Sequence, residues 1–387
     1  MLNRRPELPV YHVQPLTVVK GRGVTVYDEA GVEYLDLYGG HAVAASGHCH
    51  QRVVRAIVAQ AEQLLFYSNA VQMPVRRELC GKLLDFAGGR FTAVFLTNSG
   101  AEANEAALTI ARLATGRRKI ASVTGGFHGR SLLTLSLSGL ERYRALTSVA
   151  GEPLFAHGVV LPFGDVRAAR ETIDDSFAAI IVEPVQGLAG CLPLPADYLA
   201  ALREIADRTG ARLIFDEVQC GIGRTGAFFA AEHTGVWPDL ISLAKGLAAG
   251  FPIGATLVAE HLLPALNAGD LGTTFGGGPL ACAAALANLA AIEEEQMIAN
   301  AREVGAYLIA RLTEIRGVAR VQGRGLMIGA VLDRPASAVA SRLLQEHRIL
   351  AGTSAVPEVL RLLPPLNLRR EHADRFCAAL SAVLEKP

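Results

Sequence analysis

Residues 16–38 alternate polar and apolar side chains around a turn at Asp28-Glu29-Ala30-Gly31, the pattern of a hairpin with one face toward a core. From Gln51 to Leu65 the apolar positions change to helical spacing. Between about 93 and 260, short β-rich runs follow one another: Ala93-Val94-Phe95-Leu96, Lys119-Ile120-Ala121-Ser122-Val123, Ala179-Ile180-Ile181-Val182 and Arg212-Leu213-Ile214-Phe215. Helical segments at about 101–114 and 197–209 separate some of them. Such alternation predicts an α/β architecture, a mainly parallel sheet covered on both faces. An alanine-rich helix at about 279–295 then leads into an α+β segment, about 300–387. There, helices near 299–315, 336–346 and 370–384 surround strands near 326–332 and 358–363. The chain shows no repeat, low-complexity tract or linker, so this last segment is expected to pack on the rest.

At 387 residues the chain exceeds one small core and predicts roughly two domains. Lys+Arg and Asp+Glu are both 37, so no net charge draws the molecule to nucleic acid or an anionic membrane. A hydrophobic share of 51% against 19% charged suits a well-buried enzyme or oligomer and not a disordered chain. Cys49, Cys80, Cys191, Cys220, Cys282 and Cys377 are scattered without CxxC spacing, which reads as free thiols in a reducing compartment. Met1-Leu2-Asn3-Arg4-Arg5-Pro6 lacks the apolar core of a signal peptide, and Gly, Pro or charge breaks every run that could span a bilayer. A cytoplasmic location is the expectation.

The candidate chemistry lies at the ends of the buried runs. Lys245 closes Ile241-Ser242-Leu243-Ala244, and Asp216 closes Leu213-Ile214-Phe215. A lysine and an acid at the tips of buried strands suit pyridoxal phosphate chemistry, the amine forming a Schiff base and the acid pairing with the pyridinium nitrogen. They also suit a salt bridge between neighbouring strands, since buried Lys and Asp are uncommon without partners. Sites in such sheets gather at the carboxyl ends of strands, where Glu183, Asp216 and Lys245 fall. Thr97-Asn98-Ser99-Gly100-Ala101-Glu102 follows a strand and opens a helix, either a phosphate cradle or an ordinary turn. In Gly125-Gly126-Phe127-His128-Gly129-Arg130, the Phe127 ring could stack on a planar cofactor and Arg130 could take a carboxylate bidentately. Core packing and a solvated charge are the plainer readings. Thr273-Thr274-Phe275-Gly276-Gly277-Gly278-Pro279 offers two hydroxyls before a helix, or a plain loop with Pro at the helix start.

Two patterns mislead. Gly221-Ile222-Gly223-Arg224-Thr225-Gly226 fits GxGxxG, but Val218-Gln219-Cys220 separates it from its strand, which weakens a nicotinamide site. His48-Cys49-His50, with His41 nearby, looks metal-like, yet adjacent ligands rarely converge on one ion and no second cluster completes a set. No metal is expected.

Taken together, the chain resembles the class III (ornithine-type) aminotransferases of the pyridoxal phosphate fold-type I superfamily, closest to the acetylornithine branch. The resemblance runs through Tyr34-Leu35-Asp36 with Gly39-Gly40, Asn98 to Ala103, Phe127 to Arg130, Glu183-Pro184-Val185-Gln186-Gly187, Phe215 to Gln219 with Gly223 to Gly226, Ala244-Lys245-Gly246 and Thr273 to Gly277. It implies a large domain with a mainly parallel sheet over 51–295, and a smaller α+β domain built from 1–50 and 296–387. Lys245 would bond the cofactor and shuttle the proton, and Asp216 would keep the ring nitrogen protonated. Phe127 would stack on the ring, Gln219 would lie beside its hydroxyl, and Val218 would also touch the cofactor. Ser99, Gly100 and Ala101 would hold the phosphate with Thr274. Thr273 and Thr274 would come from the second subunit of an obligate homodimer with shared sites. Arg130 would bind the distal carboxylate of glutamate or the α-carboxylate of an acylated ornithine; Arg361 would bind the α-carboxylate of glutamate or 2-oxoglutarate.

Two positions depart from the family. Leu188 stands where many relatives carry a glutamate that pairs with the counterpart of Arg361, leaving Arg361 either unshielded or neutralised by some other acid. Gly278 stands where relatives often carry asparagine. The implied reaction moves the terminal amine of N2-acetylornithine to 2-oxoglutarate in arginine biosynthesis. Succinylornithine, ornithine, 4-aminobutyrate and acyl-lysine donors remain alternatives, and a non-catalytic binding protein on the same fold is the reading from another class.

Overall fold

The computed structural model describes Leu8, Val10 and residues 13–385, so the reading made on Met1–Pro6 falls outside the described residues. Strands β1 (Val18–Arg22), β2 (Thr25–Asp28) and β3 (Glu33–Asp36) form an antiparallel ladder. The expected hairpin is therefore three strands. Gly23, at φ 58°, supplies a second turn that polar alternation alone did not reveal. At the expected turn, Asp28 Oδ1 accepts the Ala30 and Val32 N–H groups at 3.0 and 2.9 Å. Helix α1 covers Gln51–Gln63, followed by α2 (Pro74–Phe86). The second escaped the pattern reading: Met73 precedes it without a side-chain cap, and only Leu79 and Leu83 are buried.

The central sheet has seven strands: β4 (Ala93–Thr97), β5 (Lys119–Val123), β6 (Gly158–Leu161), β7 (Phe177–Val182), β8 (Arg212–Asp216), β9 (Leu240–Leu243) and β10 (Gly254–Val258). Their order is β4-β10-β9-β8-β7-β5-β6. All neighbours run parallel except β10, which is antiparallel to β9 and to β4. Every residue of β7, β9 and β10 is buried, as a sheet covered on both faces requires. The covering helices include α3 (Gly100–Thr115), α4 (Ala196–Thr209) and α5 (Pro279–Glu294). Helix α3 is tied down by Thr256 of β10, whose Oγ1 donates to the Ala103 carbonyl at 2.8 Å.

The remaining chain adds α6 (Met297–Thr313), β11 (Val318–Arg324), β12 (Met327–Leu332), α7 (Ala336–His347), β13 (Ile349–Leu350), β14 (Gly352–Thr353), β15 (Val359–Leu362) and α8 (Arg370–Glu385). Four of these strands form an antiparallel sheet in the order β11-β12-β15-β14. The fifth, β13, pairs in parallel with β3, with Ile349 opposite Leu35, and so extends the N-terminal ladder. The Leu363 N–H donates to the Leu37 carbonyl at 2.7 Å and Leu366 N–H to Ala45 at 2.8 Å, so both ends of the sequence pack as one layer. All six cysteines are free. Among the described residues, no helix is long and apolar enough to cross a membrane.

Candidate active site

A cleft of about 280 Å³ opens at the carboxyl ends of the sheet strands, lined by Ser99, Gly100, Phe127, Asp216, Val218 and Lys245. A second, of about 480 Å³, shares Phe127, Glu183, Gln219 and Lys245 with it and adds Arg130, Leu188 and Arg361. The two form one continuous site. They bring together residues spread over the whole sequence, as the reading of strand ends anticipated.

Asp216 ends β8 and is buried. Its Oδ2 accepts from Asn104 Nδ2 at 2.8 Å and from His128 Nδ1 at 2.9 Å, and its Oδ1 accepts only the Val218 N–H at 3.0 Å. A carboxylate has about four lone-pair sites, so Oδ1 keeps capacity toward the cleft. The three donors hold the acid in one orientation. Asn104 and His128 are functional neighbours whose role was not read from the sequence. Asn104 lies one helical turn after the expected phosphate loop, and among the described residues Nε2 of the buried His128 has no partner.

Lys245 follows β9 across Ala244 and starts a 3-10 turn, Lys245–Ala248. Its φ is 37°, a left-handed conformation rare for a residue with a side chain. Ala249, at φ 49°, closes the same turn. Such strain persists where surroundings over-determine it, typically at functional sites. Here α5 does so: Asn288 Nδ2 donates to the Gly246 and Leu247 carbonyls at 2.8 and 2.9 Å. Burial pulls the Lys245 pKa below the ordinary lysine value, more than nearby Asp216 and Glu183 restore it. That favours the neutral, nucleophilic amine.

Glu183, just past β7, ties the two walls of the site together. Its Oε1 accepts the Phe127 N–H at 2.8 Å and its Oε2 accepts the Gly187 N–H at 3.0 Å. Burial, then the charge of Asp216, pushes its pKa up to about 7. A Cβ at Gly187 would lie 1.8 Å from Gln219 Oε1, so a side chain there would displace the Gln219 amide. Gln219 Nε2 in turn donates to the His41 carbonyl at 3.4 Å.

At the other end of the cleft, Ser99 caps α3 and its Oγ accepts the Glu102 N–H at 3.2 Å; Glu102 Oε2 takes the Asn98 N–H at 2.6 Å. Among the described residues, no acceptor engages the Gly100 and Ala101 N–H groups, which head a 16-residue helix and favour an anion. A Cβ at Gly100 would meet Val218 Cγ1 at 2.6 Å, so the backbone itself forms this wall. An anion cradle, an oriented acid with a spare lone pair and a lysine favoured as the free amine fit the phosphate, ring nitrogen and aldehyde of pyridoxal phosphate.

Arg130 is exposed in the second cleft, its guanidinium 4.8 Å from the Tyr143 ring centroid and 5.9 Å from that of Phe127. Arg361, on β15, is 2% exposed. Of the two alternatives, unshielded or neutralised by another acid, the hydrogen bonds among the described residues include no carboxylate: its Nε donates to the Thr353 carbonyl at 2.7 Å, Nη1 to the Gly187 carbonyl at 3.1 Å and Nη2 to the Tyr38 hydroxyl at 3.0 Å. Backbone carbonyls and a hydroxyl, scattered over three elements, serve instead of a carboxylate. Thr273 Oγ1 accepts from Asn98 Nδ2 at 3.3 Å, while Thr274 is exposed and lines neither cleft of its own chain.

The misleading patterns resolve as ordinary structure. Gly221–Gly226 lies in turns and opens no helix. His48 Nε2 donates to Asp36 at 2.7 Å and His50 pairs with Glu295 at 2.8 Å. Among the described residues, no group of three potential ligands could hold a metal ion.

The family profile of aminotransferase class-III matches residues 9–384. An acetylornithine aminotransferase of Methanocaldococcus jannaschii is 42% identical over 99% of this chain and 96% of its own. The crystal structure of ornithine aminotransferase from Toxoplasma gondii ME49 superimposes with a TM-score of 0.91 at 31% identity, over 98% of this chain and 93% of that one. An amine transaminase from an uncultivated Pseudomonas species, solved in its pyridoxal-phosphate-bound form, gives a TM-score of 0.89 at 32% identity, with 98% of both chains covered.

Proposed function

The chain belongs to the class III aminotransferases, enzymes dependent on pyridoxal phosphate, and from that premise we propose that it moves the terminal amine of N2-acetyl-L-ornithine, or a close acyl analogue, to 2-oxoglutarate. The products are the semialdehyde and L-glutamate, in arginine biosynthesis. The observation that carries this reading is the second cleft, where Arg130 and Arg361 share one chamber with Lys245. Two guanidiniums suit the two carboxylates of glutamate and 2-oxoglutarate, while an acylated ornithine presents one carboxylate and a long arm. The name of the Methanocaldococcus relative supports the donor.

When bound, pyridoxal phosphate supplies the aldehyde that exchanges amines and a ring that draws electrons from the reacting carbon. In the roles we assign, Lys245 anchors the cofactor and then carries the proton at Nζ, a task suited to an amine whose pKa burial depresses. Asp216, fixed by Asn104 and His128, holds the ring nitrogen in its protonated form. Gly100 and Ala101 would donate N–H groups to the phosphate with Ser99 fixing the helix end, Phe127 would stack on the ring, Val218 would touch the cofactor, and Gln219 would lie beside the ring hydroxyl. Arg130 and Arg361 orient the carboxylates.

A cytoplasmic homodimer with shared sites completes the proposal. Leu65, Tyr67 and Phe275 are 63%, 52% and 65% exposed, and Phe66 lies 5.1 Å from Phe275. Such a patch suits burial against a second copy. It adjoins the Thr273–Thr274 loop, which would bring Thr274 to the partner's phosphate and Thr273 to its substrate. The same reading divides the chain into 51–295 and a unit built from 1–50 with 296–387, supported by the pairing of Leu35 with Ile349.

The test is titration of the visible absorption band of the purified holoenzyme with N-acetylornithine, N-succinylornithine, ornithine, 4-aminobutyrate and glutamate. Bleaching by glutamate and most strongly by N-acetylornithine is expected. Preference for another donor would replace the substrate, and no response to any amine would favour a non-catalytic binder.

A further inference from the structure

Arg361 has five N–H donors. Three are spent on the Thr353 carbonyl, the Gly187 carbonyl and the Tyr38 hydroxyl, which leaves one on each Nη. Two of the three tethers are backbone and fixed by the fold. The third is a side chain, and it is held from both sides. Tyr38 OH accepts from Arg361 Nη2 and also shares a 2.6 Å hydrogen bond with His41 Nδ1. The Tyr38 ring lies against Gly352, where a Cβ would come within 2.1 Å of Cε2. His41 sits in a run of four left-handed residues, Gly39 to Ala42 with φ between 55° and 69°. That run begins where Asp36 Oδ1 accepts the Tyr38 and Gly39 N–H groups at 2.8 and 2.9 Å. Two of the four, His41 and Ala42, carry side chains that disfavour this conformation. Tyr38 thus links Arg361 to His41 of this strained run.

We infer that Tyr38 is a positioning residue: supported by His41, it aims the two unspent N–H groups of Arg361 at the α-carboxylate of a dicarboxylate substrate. The inference rests on the reading of Arg361 as the α-carboxylate site. It goes further in assigning the work to a neutral hydroxyl. Leu188 lines the same chamber, and Tyr38, unlike an acid, leaves the positive charge uncompensated. A glutamate or 2-oxoglutarate carboxylate then meets a rigid cation and displaces no anion. An acylated ornithine, with one carboxylate given to Arg130, gains nothing from this tether. Tyr38 thus acts on one half-reaction and not the other.

The experiment compares holoenzyme carrying Tyr38→Phe with the wild type. Three ligands are used: glutamate and N-acetylornithine, followed by bleaching of the visible band, and glutarate, which has no amine and is followed by calorimetry. Tyr38→Phe is expected to weaken glutamate and glutarate about tenfold, as loss of one hydrogen bond to a charged group implies. N-Acetylornithine should change less than about twofold on the same scale, with an unshifted cofactor spectrum. Equal weakening of all three, no change, or tighter glutarate binding would each overturn the inference. His41→Gly, which keeps the ring and suits the left-handed backbone, should move glutarate in the same direction by a smaller factor. Glutarate reports on Tyr38 even if no amine donor reacts, so failure of the proposed donor and failure of this inference give different results.

Discussion

Asn288 is fully buried on α5, and its amide satisfies two carbonyls of the turn that carries Lys245. Replacement by leucine preserves volume but removes both donors, orphaning two buried acceptors at about 1–3 kcal/mol each. Among the described residues Asn288 Oδ1 has no partner, so leucine also removes one standing penalty of similar size. The net expectation for Asn288→Leu is a loss of about 1–3 kcal/mol, read as a lower urea midpoint at unchanged m value. Asn288→Asp should be worse at pH 8, where a carboxylate would face two carbonyl oxygens, and should recover on acidification as it gains a proton to donate. Because the turn holds Lys245 at a positive φ, both variants should also lose part of the stability that added pyridoxal phosphate confers. An Asn288→Leu protein as stable as the wild type, or an aspartate variant no worse than leucine, would refute the view that these bonds hold the turn.

Lys245→Ala should reduce turnover below detection while pyridoxal phosphate still co-purifies without a covalent link; wild-type rates would remove Lys245 from the mechanism. Gly187→Ala forces a methyl into Gln219 and should weaken the cofactor about tenfold, the scale of a small overpacking penalty, measured by fluorescence titration. Glu217 is buried against the Ala230 and Ala231 N–H groups, and burial pushes its pKa from 4.5 up to about 8. The folded state thus binds this proton more tightly, and the group's contribution to stability falls as pH rises from about 4.5 to about 8. Against the wild type, Glu217→Gln should gain relative stability across that window at up to about 1.4 kcal/mol per pH unit. Parallel denaturation curves would show that Glu217 does not carry the slope.

The parts of this molecule that were legible in the sequence are those set by local pattern. Runs such as Ala179–Val182 and Arg212–Phe215 are apolar on both faces, and that alone places them inside a covered sheet with their next residues at its active edge. Direction was not legible: Gly254–Val258 is as buried as Leu240–Leu243, yet runs antiparallel to both its neighbours. Helix α2 has an apolar side too narrow and a start too plain to announce itself. In the site, Lys245 and Asp216 were visible because a charge at the end of an apolar run is unusual. The partners of Arg361 were not, because two are backbone oxygens and the third, Tyr38, lies 323 positions away. Asn288 was hidden for the same reason, as one polar residue within an alanine-rich helix.

The pairing of the two chain ends has a consequence for synthesis. The residues lining the cofactor cleft fall between Val43 and Ile253, whereas the chamber for carboxylates waits for Arg361. On a ribosome the first pocket has all its supports once β10 stands between β4 and β9 and Asn288 of α5 reaches the Lys245 turn; the second must wait for β15. A message cut short soon after α5 would encode the cofactor cleft's lining but lack the arginine we assign to diacid recognition. Selectivity, not chemistry, is the last thing this gene writes.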